Sequence, residues 1–222
     1  MKTVRLHRLV ATATPEALGI EMLQRDNHAH RLTVERQREA VNAALADGRR
    51  LGEAARREWS GEPALAAQRL GVAVEVTAAS GDYGSTLLFA AYRTRPPAIV
   101  LYQPAIAWLG AQLATHNLDR ALGIADPLPV FLAHELYHHL DLRRAEEPAF
   151  RRYRPTIVTV GRWRWTARLP ALTEIAAGSF AQALLGLDWH PRLLDLISIA
   201  AARPAAAPSL RAAVDACAAA LG

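Results

Sequence analysis

The chain has one cysteine, Cys217. That excludes an internal disulfide and any cysteine-rich zinc cluster, and leaves packing in the last helix as the expected role of the thiol. Lysine is almost as scarce. Lys2 is the only one, so the 26 basic residues are nearly all arginine. With the many alanines this reads as a GC-rich genome as much as a function, and the formal charge of +5 gives nucleic-acid binding only a modest lift. Long apolar runs are missing too. No stretch of about 18 uncharged apolar residues offers a membrane span. Residues 1–13 are interrupted by Arg5, His7 and Arg8 with no apolar run after them, so no secretory signal is expected and a cytoplasmic location is. There is no internal repeat, and the one low-complexity stretch is the Ala/Pro-rich 200–208, read as a link between two C-terminal helices. What remains is a chain of 222 residues, 51% hydrophobic, long enough for one substantial globular core.

The informative stretch is Asp126 to Leu142, DPLPVFLAHELYHHLDL. Asp126 can cap a helix whose first turn holds Pro127 and Pro129, where no donor is lost. Leu132, Leu136 and Leu140 recur every four residues beside Ala133, the apolar stripe of a buried helix. Within it lies His134-Glu135-Leu136-Tyr137-His138. On a helix His134 and His138 stack on one face, where two imidazoles can share a metal ion, with Glu135 beside them as a base for water. That is the pattern of zinc-dependent peptide hydrolysis, although HExxH alone is only moderately specific.

Elsewhere the spacing predicts helices over 15–30, 33–58, 62–70, 104–122 and 171–187, with two more after Pro191 and Pro208. Val34, Val41, Leu45 and Leu51 mark the apolar face of the second among charges expected to be solvated. Ser60 is read as the cap of 62–70 and Gly71 as its stop. Val72, Val74 and Val76 alternate as a strand, Gly81 and Gly84 mark a turn, and 85–93 and 98–102 read as strands joined at Pro96-Pro97. Short connections predict a small antiparallel sheet. His28 and His30 are expected at the surface, and His116 as a structural or surface histidine.

Residues 151–169 carry six arginines among Tyr153, Trp163 and Trp165. In GRWRW the alternation puts both tryptophans on one side of a strand and both arginines on the other. Arginine interleaved with aromatics suits single-stranded nucleic acid. The favoured reading is an amphipathic strand that buries its tryptophans, with a partner-protein surface next.

A catalytic zinc usually takes three protein ligands, so a third is needed. His139 points about 100° from His138 and cannot share the ion. Asp141 lies about 10 Å along the axis from His134, too far for a short side chain, and suits the orientation of His138 better. Glu146 and Glu147 precede Pro148 in a polar turn, and His116 and His190 have no partner motif. Glu174 opens a helix whose apolar face, Ile175, Phe180 and Leu184, can dock on the core.

The segments together resemble the ImmA/IrrE family of bacterial metallopeptidases. The resemblance covers roughly residues 60–187: Ala64, Gln68 and Leu70-Gly71-Val72, the strand IVLY at 99–102, LAHELYHHL at 132–140, and Glu174-x-x-Ala177-x-x-Phe180-Ala181-x-x-Leu184-Leu185. It implies an α+β, zincin-like fold with a small sheet packed on the HExxH helix. The implied organisation is an N-terminal helical extension at 1–59, a peptidase core at 60–188 and C-terminal helices at 189–222. It implies zinc held by His134, His138 and Glu174, with Glu135 as general base. The implied function is cleavage of a cytoplasmic regulatory protein, commonly a helix-turn-helix repressor, which would be a separate chain. The family often has a small residue where this chain has Tyr137. The rival expectation is a metal-stabilised binding module with little turnover, acting on a repressor or on nucleic acid through the Arg/Trp segment.

Overall fold

Threonines open the first two helices. The Thr14 and Thr33 hydroxyls accept from the amides of Ala17 and Arg36, capping α1 (Pro15–Gln24) and α2 (Val34–Trp59). The computed structural model describes Val10, residues 12–83 and residues 86–220. After α2 come α3 (Pro63–Arg69), β1 (Ala73–Thr77), β2 (Asp82–Tyr83), β3 (Thr86–Leu87), β4 (Ala90–Thr94) and β5 (Pro97–Tyr102). Then follow α4 (Gln103–Thr115), α5 (Leu118–Leu122), α6 (Leu128–Arg143), β6 (Thr156–Val160) and β7 (Trp163–Thr166). Helices α7 (Pro170–Leu185), α8 (Arg192–Ala202) and α9 (Ala207–Ala219) end the described chain. The class is α+β, with nine helices among the described residues.

Several local expectations change. Ser60 does not cap α3; it ends α2 in the left-handed region at φ 53, and Gly71 takes the left-handed position after α3 at φ +67. The helix expected over 104–122 breaks at Asn117 (φ 54), giving α4 and α5. The one expected over 15–30 stops at Gln24, and a short 3-10 turn, Ala29–Arg31, follows. Gly84 and Ser85, read as turn and strand start, lie outside the described residues, as does most of 1–13.

The larger sheet is mixed, not antiparallel. Its order is β1-β5-β4, with β4 antiparallel to β5 and β1 parallel to it. The turn at 95–96 makes the β4–β5 hairpin. Residues 78–89, which include the β2–β3 pair, carry the chain from one edge of β5 to the other, as a parallel pairing requires. The β2–β3 and β6–β7 pairs form two-stranded ribbons.

The core is built around α6 and α7. Leu132, Ala133, Leu136 and Tyr137 of α6 are buried, as are Leu172, Ile175, Phe180 and Leu184 of α7. Helix α2 lies against α7 at backbone contact. A Cβ added at Gly48 would come within 2.1 Å of the Ala176 carbonyl oxygen, and one at Gly52 within 2.5 Å of that of Phe180. The Ser179 hydroxyl donates to the Leu45 carbonyl at 2.8 Å. Two glycines one helical turn apart therefore fix how close α7, the helix carrying Glu174, sits to α2.

Candidate metal centre

Helix α6 starts one residue later than Asp126 as its cap would place it: Pro127 is the N-cap and only Pro129 falls in the first turn, while the Asp126 carboxylate accepts from the Leu128 amide at 2.9 Å. One face of α6 packs on the sheet, where His139 is buried and its Nδ1 meets the Tyr92 hydroxyl at 2.9 Å. Another faces α2, and a third presents His134 and His138 to α7.

Glu174 comes across from the first turns of α7. Its Oε2 lies 3.1 Å from His134 Nε2 and its Oε1 3.6 Å from His138 Nε2, while the two Nε2 atoms are 3.3 Å apart. Four ligands at about 2 Å around a tetrahedral zinc are separated by about 3.3 Å, so the two imidazole nitrogens and the Glu174 carboxylate sit where one ion could meet all three side chains. Among the described residues this is the only group of three or more His, Cys, Asp or Glu side chains so placed. Charge supports the same reading. Burial works against a charged imidazole at His134, but the bonded Glu174 carboxylate, with Glu135 next to it, outweighs that and raises its pKa to about 9. Burial pushes the Glu174 carboxyl up, yet the bonds from His134 and His138 hold it well below the usual carboxylate range. An anion faces two imidazole nitrogens, a donor set suited to a borderline divalent cation.

The centre opens on two sides. On one, a cleft of about 270 Å³ brings His134, Glu135 and Glu174 together with Leu87–Ala90 and Phe131; Phe89 and Phe131 stack at 4.5 Å along its wall. On the other, a cleft of about 280 Å³ is shared by His138, Glu174, Phe150, Tyr153 and Arg168. The sheet edge formed by β4 borders the first of these.

Tyr137 does not crowd the His134, His138 and Glu174 cluster. Its ring is buried and its hydroxyl donates to Asp47 of α2 at 3.0 Å. Burial and the Asp47 carboxylate push its pKa up, so it stays a neutral donor. Asp141 does not orient His138: one of its oxygens is bonded to Arg144 and the other to Arg151. His116 ends α4 and lies outside the cluster, as do Glu146 and Glu147. His190 takes a part that its lack of motif concealed. Buried beside the site, it packs on Gly178 of α7, its Nε2 lies 3.3 Å from the Ile175 carbonyl, and its Nδ1 accepts from the Arg192 amide. Burial lowers its pKa to about 4, so it is a neutral wedge behind Glu174.

No protein-family model matches the chain, and no curated protein and no solved structure compared with it does either. No helix among the described residues is long and apolar enough to cross a membrane.

Proposed function

We propose that the chain is a zinc-dependent endopeptidase of the ImmA/IrrE type, with a zincin-like core, that cuts a cytoplasmic regulatory protein, a transcriptional repressor being the expected substrate. The observation that carries it is the convergence of His134, His138 and Glu174 at 3.1–3.6 Å in an open cleft lined by Glu135. Zinc held there would lower the pKa of water toward neutrality and polarise the carbonyl to be attacked. Glu135 takes the proton from the attacking water and returns it to the leaving amide nitrogen, so the carboxylate ends the cycle as it began. The outer edge of β4, unpaired in its sheet among the described residues, offers main-chain groups to an extended peptide, and the Phe89–Phe131 wall excludes water from one side of the bond. Sequence choice then falls to surfaces beyond the scissile bond.

The deciding variant is Glu135→Gln. Expected are an unchanged fold and zinc content with cleavage reduced at least about a hundredfold. Protein termini compared between cells carrying the native chain and Glu135→Gln identify the substrate. Full function of the variant in cells overturns the hydrolase reading in favour of a metal-stabilised binding module, which the exposed β6–β7 ribbon would serve. Cuts confined to secreted or membrane proteins overturn the repressor assignment.

A further inference from the structure

The β6–β7 ribbon contributes no metal ligand, and its tryptophans are not buried. The expectation of an inward-facing strand fails because, among the described residues, no second layer covers that side of the two-stranded ribbon. It turns at Gly161 (φ +56), and directly paired residues share a face: Val160 with Trp163 and Val158 with Trp165, while Thr159 and Arg164 take the other. Trp163 is 71% and Trp165 72% exposed, Val158 44% and Val160 61%. An apolar patch containing two tryptophans is the composition of an interface anchor.

Charge defines what it would anchor. Residues 151–169 contain six arginines and no carboxylate. The three at the foot of the ribbon are engaged: Arg151 on Asp141, Arg152 on the Tyr153 hydroxyl at 3.1 Å, Arg154 on Glu147 at 3.0 Å. Arg162, Arg164 and Arg168 meet no carboxylate among the described residues; Arg162 lies over the Trp163 ring at 5.9 Å. Position supplies the second constraint. Arg168, two residues after β7, lines the same cleft as His138 and Glu174, so the ribbon rises from the rim of the metal centre. A base-stacking platform uses open aromatic faces in succession. Here a valine is paired with each indole, which suits aliphatic and aromatic side chains.

We propose that the β6–β7 ribbon docks a protein segment in which aspartates or glutamates alternate with large apolar side chains. Paired along an edge of the ribbon as a third strand, such a segment sets its apolar groups beside Val158, Val160, Trp163 and Trp165 on one face and its carboxylates beside Arg164 on the other, with Arg162 at the turn and Arg168 at the foot meeting further carboxylates. That this segment belongs to the polypeptide cut at the metal rests on the peptidase reading; the docking itself does not.

The test uses zinc-loaded Glu135→Gln protein, so that binding is read without turnover, and a labelled synthetic peptide alternating glutamate with leucine and phenylalanine. The acidic peptide should bind at least about tenfold more tightly than its lysine counterpart, and less tightly as salt rises. Trp163→Ala with Trp165→Ala should weaken it at least about tenfold, and Arg162→Ala with Arg164→Ala should remove most of the preference for acid. Circular dichroism and zinc content verify the fold of each variant, and quenching of tryptophan emission reports the same binding without any ribbon substitution. Equal affinity for the two peptides, or indifference to the tryptophan pair, overturns the proposal. So does tryptophan-dependent binding of oligothymidylate or phosphatidylglycerol vesicles in place of the peptide. Loss of peptidase activity leaves the docking standing, whereas normal cleavage with no peptide binding removes the docking alone.

Discussion

Arg144 Nη1 reaches both carboxylate oxygens of Asp47, at 3.0 and 2.8 Å, and ties the end of α6, the helix of His134 and His138, to α2. The Tyr137 hydroxyl donates to the same carboxylate, and Arg144 also bonds Asp141. Asp47, Tyr137 and Asp141 are buried, Arg144 is half-buried, and the four polar groups satisfy one another. Removing one partner strands another, which costs more than the pair itself contributes. Asp47→Ala should destabilise the protein by about 2–4 kcal/mol, and Tyr137→Phe, which leaves the Asp47–Arg144 pair intact, by about 1 kcal/mol. Urea unfolding measures both. Zinc stoichiometry should be unchanged in Tyr137→Phe; a loss would mean that the hydroxyl reaches the metal centre.

Glu174 and Asp141 separate the same way. Glu174→Ala removes one of three converging ligands and should leave zinc bound weakly or not at all. Asp141→Ala leaves the cluster intact but deprives Arg144 and Arg151 of a buried partner, so the expected loss is in stability, about 2–3 kcal/mol. Metal analysis of the two purified variants decides: an empty site in Asp141→Ala with zinc retained in Glu174→Ala would make the ligand set wrong.

The periodicity of 126–142 made the HExxH face legible, because a 3.6-residue repeat alone places His134 over His138. Glu174 was reachable through the pattern of its own helix, since apolar residues at 175, 180 and 184 say which side of α7 faces the core. Period 2 carries less. It tells that Trp163 and Trp165 share a side, but not whether anything covers it, and among the described residues nothing does. The parallel placement of β1 was hidden for a related reason: strand direction depends on the path of residues 78–89, which has no periodicity. The Gly48-x-x-x-Gly52 spacing was a readable sign of close helix approach, lost among the charges of α2. Asp47, Arg144 and His190 have meaning only once three separate segments meet.

Zinc binding should release a proton. In the metal-free protein His134 carries a pKa of about 9, so at pH 7 its Nε2 is protonated and must lose that proton before it can act as a ligand. Calorimetric titration of zinc at pH 7 in two buffers of different ionisation enthalpy should show about one proton released per ion, with affinity falling about tenfold for each unit of pH below the His134 value. Heats identical in both buffers would mean that His134 is already neutral when zinc arrives.

His190 gives the fold an acid-sensitive element distinct from the ligands. Its folded-state pKa of about 4 lies below the ordinary 6.5 because the ring is buried against Gly178 and Ile175. Above about pH 6.5 it is neutral folded or unfolded. As pH falls below that, the unfolded chain takes up a proton that the folded one refuses, so stability drops until the folded pKa near 4 is reached. Each unit within that window costs about 1.4 kcal/mol. His190→Gln keeps a donor for the Ile175 carbonyl and removes the titration. Between pH 7 and pH 5 the native chain should therefore lose about 2 kcal/mol more stability than His190→Gln. Both are measured metal-free by urea unfolding, so that zinc release does not enter and the titrations of His134 and Glu174 cancel in the difference. Parallel pH profiles for the two proteins would show that His190 takes up its proton as readily folded as unfolded, and the ring would then not be the sealed wedge behind Glu174.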